Sequence, residues 1–599
     1  MNRVYKSAID PSVKPFRILA GTATGFVWTL WFVMTVSTVV FVRQFGSNVP
    51  SWDDWDMVPT MTGNQPITLD WLWSQHNEHR MPLPRIILLL WTYFFGCDFR
   101  AGMYLNVVLL SLLAFAMIVC ARRLRGRLCF ADGIFPIAFL HWGHAANFLW
   151  SWQINQELPV IISGAFLLVV IREKRQFNLK SIFLIGICLL SLPLCCANGV
   201  AIVPALILWL LYVVFFPGHS QALPAGRHSF LILAFVLTGL LLVALTFVGY
   251  QKVPYHPVSP GLWDSLKAGV QLGSLCFGPA AIPIWKLAGL SFICFAILSV
   301  FFLFRVLVQQ PEERIRAAGL ILFLGAYGAL TFVLGSGRPF TALEARYALF
   351  FVPPLCCLYF IWTIYGPIRL QFLIRNSLFV TMGLALSPNM RAGLEYGNNL
   401  RSKLQSFECA IETGHPAYWL INRYGNYLHP HQDILTDYLP MLRQANVGIY
   451  RHLRDEPVFH KVSLPLVPTA LNDLTWKEGI ARATGSYPFL VFSLPENRYV
   501  CGIRLHYSYP NNEDHLSYVS IYWKKGDQKE FTTEQFSKYS PTGDRANWER
   551  GTWCRLAESE RTLTVWICDT VKEIRIHPDF QPCECKISEI VLLEPSAYK

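Results

Sequence analysis

Acidic, basic and imidazole side chains are concentrated in two short segments, Ser51-Trp-Asp-Asp-Trp-Asp56 and Gln75-His-Asn-Glu-His-Arg80. The first contains Asp53 and Asp54, the predicted catalytic residues. One carboxylate of an adjacent pair can act as a general base while the other binds a divalent cation such as Mg²⁺ or Mn²⁺. The second segment and the residues after it supply candidates for acceptor binding or support of the site: His76, Glu78, His79, Arg80 and Arg85. A solvated loop with tryptophans at headgroup level is the alternative.

A further carboxylate, Glu157, lies close to the start of a long apolar run. A carboxylate at membrane depth is costly unless it is paired or hydrated, so Glu157 is a candidate metal ligand together with Asp54. The alternative of equal weight is that Glu157 complements the dipole at the N-terminus of a helix.

Two arginines and a tyrosine follow late in the apolar region, in the segment 335–347. Arg338, Arg346 and Tyr347 are predicted to bind the phosphate of a lipid-linked donor, because arginines form paired, charge-assisted bonds to phosphate oxygens. Ion pairs of the arginines with Glu344 or with a first-loop aspartate are the alternative.

The composition predicts an integral membrane protein. Of 599 residues, 53% are apolar and 15% are charged, against roughly 25% charged in an ordinary soluble chain. The run 86–96 is too short to cross about 30 Å of hydrocarbon and is predicted to lie in the interface. Eleven other runs are long enough, or nearly so, to form spanning helices: 18–42, 101–121, 133–150, 154–171, 181–197, 200–216, 229–250, 287–304, 317–335, 347–365 and 368–388.

The loops between these runs predict the orientation. With the N-terminus inside, the inner loops hold twice as many Lys and Arg residues as the outer loops, as the positive-inside rule requires. An odd number of helices then places the first loop, 43–100, and the C-terminus on the extracytoplasmic side of the cytoplasmic membrane. The net charge of +12 is explained by this topology, and nucleic acid is not a predicted partner.

The chain is therefore divided into a membrane domain, 1–388, a helical connector, 389–458, and a β domain, 459–599. In the β domain, short segments rich in Val, Ile, Tyr and Trp are separated by Asn, Gly, Pro and Asp, which predicts a β-sandwich. The segments are 489–494, 499–509, 518–525, 562–568, 571–577 and 587–593.

These features together resemble the GT-C superfamily of membrane glycosyltransferases. The resemblance rests on an N-inside first helix, an Asp-Asp pair opening the first outer loop, an interfacial helix after it, about eleven spans and an outer C-terminal domain. Within that superfamily, Trp52-Asp-Asp-Trp55, Asn77-Glu-His-Arg80 and the late Arg338 with Ala345-Arg-Tyr347 resemble a poorly characterised bacterial group. The similarity covers most of the membrane region.

The resemblance implies transfer of a hexosyl or pentosyl group from a polyprenyl-phosphate-linked donor to a glycan, lipid or protein acceptor at the outer face. It makes Asp53 or Asp54 the acidic residue of the first loop. Asn155-Gln-Glu157 departs from a paired acidic motif, which leaves dependence on a metal open. The β domain resembles a carbohydrate-binding jelly roll. The alternatives are a transporter or flippase of lipid-linked sugars and a non-catalytic envelope glycan assembly protein.

Overall fold

The computed structural model of the protein describes residues 14–172, 179–215, 227–252, 258–429, 433–485, 487–510, 516–528, 531, 551–555, 561–578 and 583–596. Its first two thirds are helical. From the N-terminus, the α-helices and two short strands are α1 (Lys14–Phe45), α2 (Val58–Met61), α3 (Leu69–Trp73), β1 (Gln75–His76), β2 (His79–Arg80), α4 (Pro82–Phe95), α5 (Phe99–Arg125), α6 (Ile134–Leu140), α7 (Ala145–Phe148), α8 (Ile154–Arg172), α9 (Leu179–Ser191), α10 (Ala197–Phe215), α11 (Arg227–Phe247), α12 (Leu262–Ser274), α13 (Trp285–Gln309), α14 (Arg314–Gly337), α15 (Val352–Tyr365) and α16 (Ile368–Glu412).

Nine helical stretches of the described residues are long and apolar enough to cross a membrane. They correspond to nine of the eleven predicted runs. The stretches are Gly21–Phe45, Phe99–Arg125, Ser151–Arg172, Ala197–Phe215, His228–Phe247, Pro279–Gln309, Pro311–Gly337, Ala345–Tyr365 and Ile368–Glu412. The end of this bundle that carries residues 46–98 is called the first-loop face below.

The predicted run 133–150 is not one helix. It forms α6 and α7, separated by an extended backbone at His141 (φ −70°, ψ 146°) and a single 3-10 turn. The segment nevertheless runs antiparallel to α5, because Asp132 before it pairs with Arg125 at the end of α5, and Ser151 after it lies against Gly102 near the start of α5. The hydropathy of the run is that of a spanning helix. The extended backbone conformation at His141 does not alter this hydropathy, so the sequence pattern does not predict the break.

The predicted run 181–197 is also shorter than expected. It forms α9, which is extended only by a 3-10 turn, Leu192–Leu194, with Pro193 inside that turn. The run near 86–96 forms α4, whose 14 residues reach only about 21 Å. The structure exposes Tyr93, Phe94 and Phe95 at the end of α4. The helix is therefore too short to span a membrane, and its position in the interface stays a prediction.

The last bundle helix, α16, is 45 residues long and passes through Pro388 without ending. The predicted domain boundary at residue 388 is therefore not a break in the structure. At 1.5 Å per residue, α16 is about 67 Å long, twice what a membrane needs. Its C-terminal part is followed by α17 (Ala417–Leu428), α18 (Asp433–Gln444) and a 3-10 helix, Gly448–His452.

The C-terminal region is a β-sheet, as predicted. Its strands are β3 (Phe459–Ser463), β4 (Ala470–Asn472), β5 (Leu474–Lys477), β6 (Ile480–Ala483), β7 (Phe489–Ser508), β8 (Leu516–Lys524), β9 (Gly551–Arg555), β10 (Arg561–His577) and β11 (Glu584–Pro595). All pairs are antiparallel, in the order β5-β6-β11-β7-β10-β8-β9, with β3 on β11 and β4 on β7.

The described strands form one hydrogen-bonded sheet rather than the two separate sheets of the predicted sandwich. The reason is the length of β7 and β10. Each joins two segments that the sequence pattern separates. In β7, Pro495 and Asn497 resemble a turn in the sequence, but both lie inside the strand. The register of β10 on β7 shifts between Trp566 and Asp569 and again between Val571 and Glu573, and such irregularities bend a strand without ending it.

The helical connector packs against the first loop. A shared apolar core joins Trp55 and Val58 of the loop to residues of α16, α17 and α18 and to Tyr450. The sheet joins this core through Trp566, whose indole nitrogen donates to Thr436 at 3.0 Å. These contacts fix the position of the first loop relative to the connector.

Candidate functional site

The first loop folds around the carboxylate of Asp54. A 3-10 helix, Trp52–Met57, begins at this point. Asp54 Oδ2 accepts from the Ser51 amide at 3.2 Å, and Oδ1 accepts from Ser151 Oγ at 2.5 Å and the Trp152 amide at 3.0 Å. Asp54 is 1% exposed. Burial raises its pKa to about 7, against the opposing effect of these hydrogen bonds.

The same 3-10 helix directs Asp53 and Asp56 toward His76. His76 Nε2 lies 3.6 Å from Asp53 Oδ1, and Nδ1 lies 3.1 Å from Asp56 Oδ2. The imidazole packs on Trp152 at 5.0 Å between ring centroids. Burial alone would lower the pKa of His76, but its hydrogen bonds to both carboxylates outweigh this and raise the pKa to about 10. His76 is therefore an imidazolium between two carboxylates at neutral pH.

A histidine from the connector, His429, completes this group. Asp53, Asp56, His76 and His429 are called the aspartate cluster below. Ligand atoms of Asp53, Asp56 and His429 lie within 4.8 Å of one another, and they form a candidate metal group among the described residues. Two carboxylates and one imidazole match a catalytic metal site with three protein ligands and an open position. The mixed oxygen and nitrogen donors suit Mn²⁺ or Zn²⁺ better than Mg²⁺. An ion here and the His76 imidazolium would share the same carboxylates.

The predicted metal ligands Asp54 and Glu157 lie outside that group. Asp54 is occupied as described above. Glu157 is fully buried, and neither of its carboxylate oxygens has a hydrogen-bond partner in the described structure. It lies in the first turn of α8, where the helix dipole favours a carboxylate. Its position therefore agrees with the dipole alternative.

Arg346 lies beside the aspartate cluster. Its guanidinium pairs with Glu344 at 2.6 Å and lies over the Tyr347 ring, 5.2 Å from the centroid. The charges of Arg346 and Asp53 also interact. The backbone carbonyl of Arg346 accepts from Asn147 Nδ2 at 3.3 Å, which connects it to α7. Arg346 thus has the ion pair with Glu344 that the sequence left as the alternative to phosphate binding, and Tyr347 supports its guanidinium.

Arg338 is paired with the first loop. Its Nη2 and Nη1 lie 3.0 and 3.4 Å from the two carboxylate oxygens of Glu78. Glu78 lies at the turn of the β1–β2 hairpin, in which His76 pairs with His79. Both side chains of the ion pair are one-fifth exposed. The hairpin therefore holds a second arginine close to the segment that carries His76.

The other three predicted residues attach the first loop to the helices. Arg80 donates to the carbonyls of Trp73 at 2.7 Å and Val248 at 2.5 Å. Arg85 donates to the Trp71 carbonyl at 2.5 Å. His79 Nδ1 accepts from the amide of Ala197, the first residue of α10, at 3.3 Å. Among the predicted support residues, these three hold the backbone of the loop.

The cluster contains two residues that were not among the predicted site residues, Asp56 and His429. Asp56 lies in the same short segment as Asp53. His429 ends the connector helix α17, far along the chain from Asp53, and no motif or spacing links the two. Comparison of the chain with protein-family models and with curated proteins gives no match. The chemistry available to the site follows from its own geometry, which offers two carboxylates, two imidazoles and one nearby guanidinium at the first-loop face.

Proposed function

We propose that the protein is a membrane glycosyltransferase of the GT-C type, which transfers a sugar from a polyprenyl-phosphate-linked donor to an envelope glycan, lipid or protein. One observation supports this most strongly. Asp53 and Asp56 flank His76, and Arg346 lies close enough to Asp53 for their charges to interact. The arrangement combines a proton acceptor with a cation suited to a leaving phosphate.

In this proposal Asp53 is the general base. The acceptor hydroxyl gives its proton to Asp53 as its oxygen attacks the anomeric carbon, and the bond from that carbon to the phosphate oxygen breaks. The bonding electrons remain on the phosphate. His76 holds the Asp53 carboxylate in position through the contact of Nε2 with Oδ1 at 3.6 Å.

Arg346 stabilises the charge that develops on the leaving phosphate. Its planar guanidinium can donate two bonds to a phosphate, which would compete with Glu344 for the same group. Arg338, paired with Glu78 on the hairpin, is the second cation in this part of the site.

A divalent cation, when bound, would neutralise phosphate charge as a Lewis acid. Asp53, Asp56 and His429 are the residues that would hold it.

The proposed location follows from the substrates. The donor is a membrane lipid, and the first-loop face, with the connector and the sheet beyond it, lies on the extracytoplasmic side of the cytoplasmic membrane. The sheet then assists in binding the glycan acceptor. Buried Trp523 and Trp566 belong to its packing, so any sugar contacts come from other residues.

The test is transfer in vitro from a labelled polyprenyl-phosphate sugar pool by the purified full chain. Asp53→Asn removes the base and is expected to lower turnover by about 100-fold with the fold intact. Asp70→Asn is the matched control, because Asp70 is an exposed carboxylate in the same loop. Unchanged turnover in Asp53→Asn would contradict the assignment. Movement of the labelled lipid across vesicles without transfer would support the transporter alternative.

A further inference from the structure

A polar cavity opens at the first-loop face. It has a volume of about 440 Å³ and lies between the end of α1, the start of α5, the C-terminal part of α16 and the 3-10 helix Gly448–His452. The residues of the aspartate cluster do not line it. The cavity is therefore separate from the site described above, and an inference from it does not rest on the proposed function.

The cavity carries an excess of positive charge. Four arginines line it together with two glutamates, Glu408 and Glu412. Two of the arginines are paired, Arg100 with Asp98 at 2.6 Å and Arg401 with Glu408 at 3.0 Å. The other two, Arg43 and Arg451, have no carboxylate within ion-pair distance among the described residues. Arg451 Nε donates to His452 Nε2 at 3.1 Å.

The walls of the cavity are held in place by polar contacts. Ser47 Oγ donates to Glu408 at 2.5 Å, and Asn48 Oδ1 accepts from the Phe99 amide at 2.8 Å. Gly448 has φ +47° and lies so close to Asn48 that a Cβ would be 2.8 Å from the amide nitrogen. A glycine at this position therefore allows the 3-10 helix to approach the end of α1 and close one side of the cavity.

The cavity lies at the ends of two membrane-length helices. Arg43 is in the last turn of α1, and Arg100 is in the first turn of α5. The neighbouring α4 exposes Tyr93 and Phe94, and aromatic side chains are enriched at the level of lipid headgroups. With α1 and α5 spanning a membrane, the guanidinium groups at these helix ends would lie at the depth of lipid phosphates.

We propose that this cavity binds a phosphate ester that carries hydroxyl groups, the chemistry of a glycerol or sugar phospholipid headgroup. Arg43 and Arg451 would bind the phosphate oxygens through charge-assisted hydrogen bonds. Glu408 and Glu412 would accept from the hydroxyl groups. The volume exceeds what a phosphate alone needs and is in the range of small-molecule sites, so it can hold the phosphate together with its polyol.

The test uses the full chain in nanodiscs of phosphatidylcholine with a minor fraction of phosphatidylglycerol, and native mass spectrometry counts the lipids that remain bound. The wild type is expected to retain phosphatidylglycerol in preference to phosphatidylcholine. Arg43→Gln with Arg451→Gln should lower that preference by about 30-fold, because each arginine near lipid phosphate contributes about one kcal/mol. Arg43→Lys with Arg451→Lys keeps the positive charge and should retain part of the preference for phosphatidylglycerol.

The matched control is Arg305→Gln with Arg314→Gln, which removes two exposed arginines from the opposite end of the bundle. This control should behave as the wild type. A wild-type protein without preference, or an equal loss in the control, would overturn the site. A second arm adds soluble glycerol 3-phosphate. Displacement of the lipid only at concentrations far above that of the lipid supports a headgroup as the source, and displacement at equal concentration assigns the site to a free phosphate ester.

Discussion

The neighbouring aspartates of the first loop have opposite surroundings. Asp54 is buried and accepts three hydrogen bonds from two segments of the chain, whereas Asp53 is one-quarter exposed and faces His76. In a 3-10 helix, consecutive side chains point about 120° apart, since one turn holds three residues. One side chain therefore fixes the loop to the start of α8, and the next is available to a substrate.

The role of Asp54 can be tested by stability. Asp54→Ala leaves the Ser51 and Trp152 amides and the Ser151 hydroxyl without an acceptor, and each buried unsatisfied group costs about 1–3 kcal/mol. We expect a loss of about 3 kcal/mol in thermal unfolding of the purified protein. Asp54→Asn retains an acceptor oxygen and should lose less. An Asp54→Ala protein as stable as the wild type would show that the carboxylate does not hold the loop.

The role of His429 can be tested by metal binding. His429→Ala removes the only nitrogen donor of the group formed with Asp53 and Asp56. Titration with Mn²⁺, followed by electron paramagnetic resonance, is expected to show affinity lowered by more than about tenfold. His415→Ala is the control, because His415 lies in the same connector but stacks on Trp419. Equal Mn²⁺ affinity in both variants would exclude His429 as a ligand.

At the scale of elements, the middle and the C-terminal end of β10 have different environments. Its middle carries Trp566 into the connector core, and its last residue, His577, is fully buried beside Tyr487, Tyr522 and Phe489. Burial, together with the charge of Arg575, lowers the pKa of His577 to about 3. The folded sheet therefore contains a neutral histidine that the unfolded chain protonates readily.

This histidine makes the sheet sensitive to acid. In the unfolded state His577 binds a proton near pH 6.5, and in the folded state only near pH 3. The contribution of neutral His577 to the free energy of unfolding is therefore complete above pH 6.5 and decreases as the pH falls from 6.5 to 3. The loss should reach about 2 kcal/mol at pH 5. Amide hydrogen exchange of β10, corrected for the pH dependence of the intrinsic exchange rate, measures this loss of stability. His577→Phe should remove this dependence and His460→Phe, at an exposed position of β3, should not.

The elements show what the sequence could predict and where it could not. Nine of the eleven predicted apolar runs form helices of membrane length among the described residues, because the hydrophobic content of such helices is a local property. The break at His141 depends on backbone torsion, and the joining of two predicted segments into β10 depends on partner strands on both sides. The first loop was predicted to carry the site because its charged residues are close in sequence. His429 was missed because it approaches only through the packing of the connector.

At the scale of the whole molecule, α16 connects the bundle to the connector without interruption. Gly393 lies against the Trp142 backbone and Gly397 against the Phe45 ring, so the helix is in contact with the bundle up to this point. Beyond it, α16 joins the core that contains Trp55 and Tyr450. The first loop, the connector and the sheet therefore lie on one side of the bundle.

The proposed topology predicts that this side is accessible from outside the cell membrane. Asn398 is exposed on α16, and Cys409 on the same helix is also exposed. In a Cys409→Ser background, Asn398→Cys should react with a membrane-impermeant maleimide in intact spheroplasts. Arg314→Cys, at the other end of the bundle, should react only after lysis. The reverse pattern would place the first loop in the cytoplasm.

The unbroken course of α16 also determines how the two halves of the cluster are held apart. Beyond Gly397 the helix remains attached to the end of α1, because Ser47 Oγ donates to Glu408 at 2.5 Å, and Leu404 and Phe407 pack in one core with Trp55. His429 follows α17, the next helix of the connector, and Asp53 belongs to the loop that Asp54 joins to Ser151. One continuous helix and the loop packed on it therefore keep the distance between Asp53 and His429 constant.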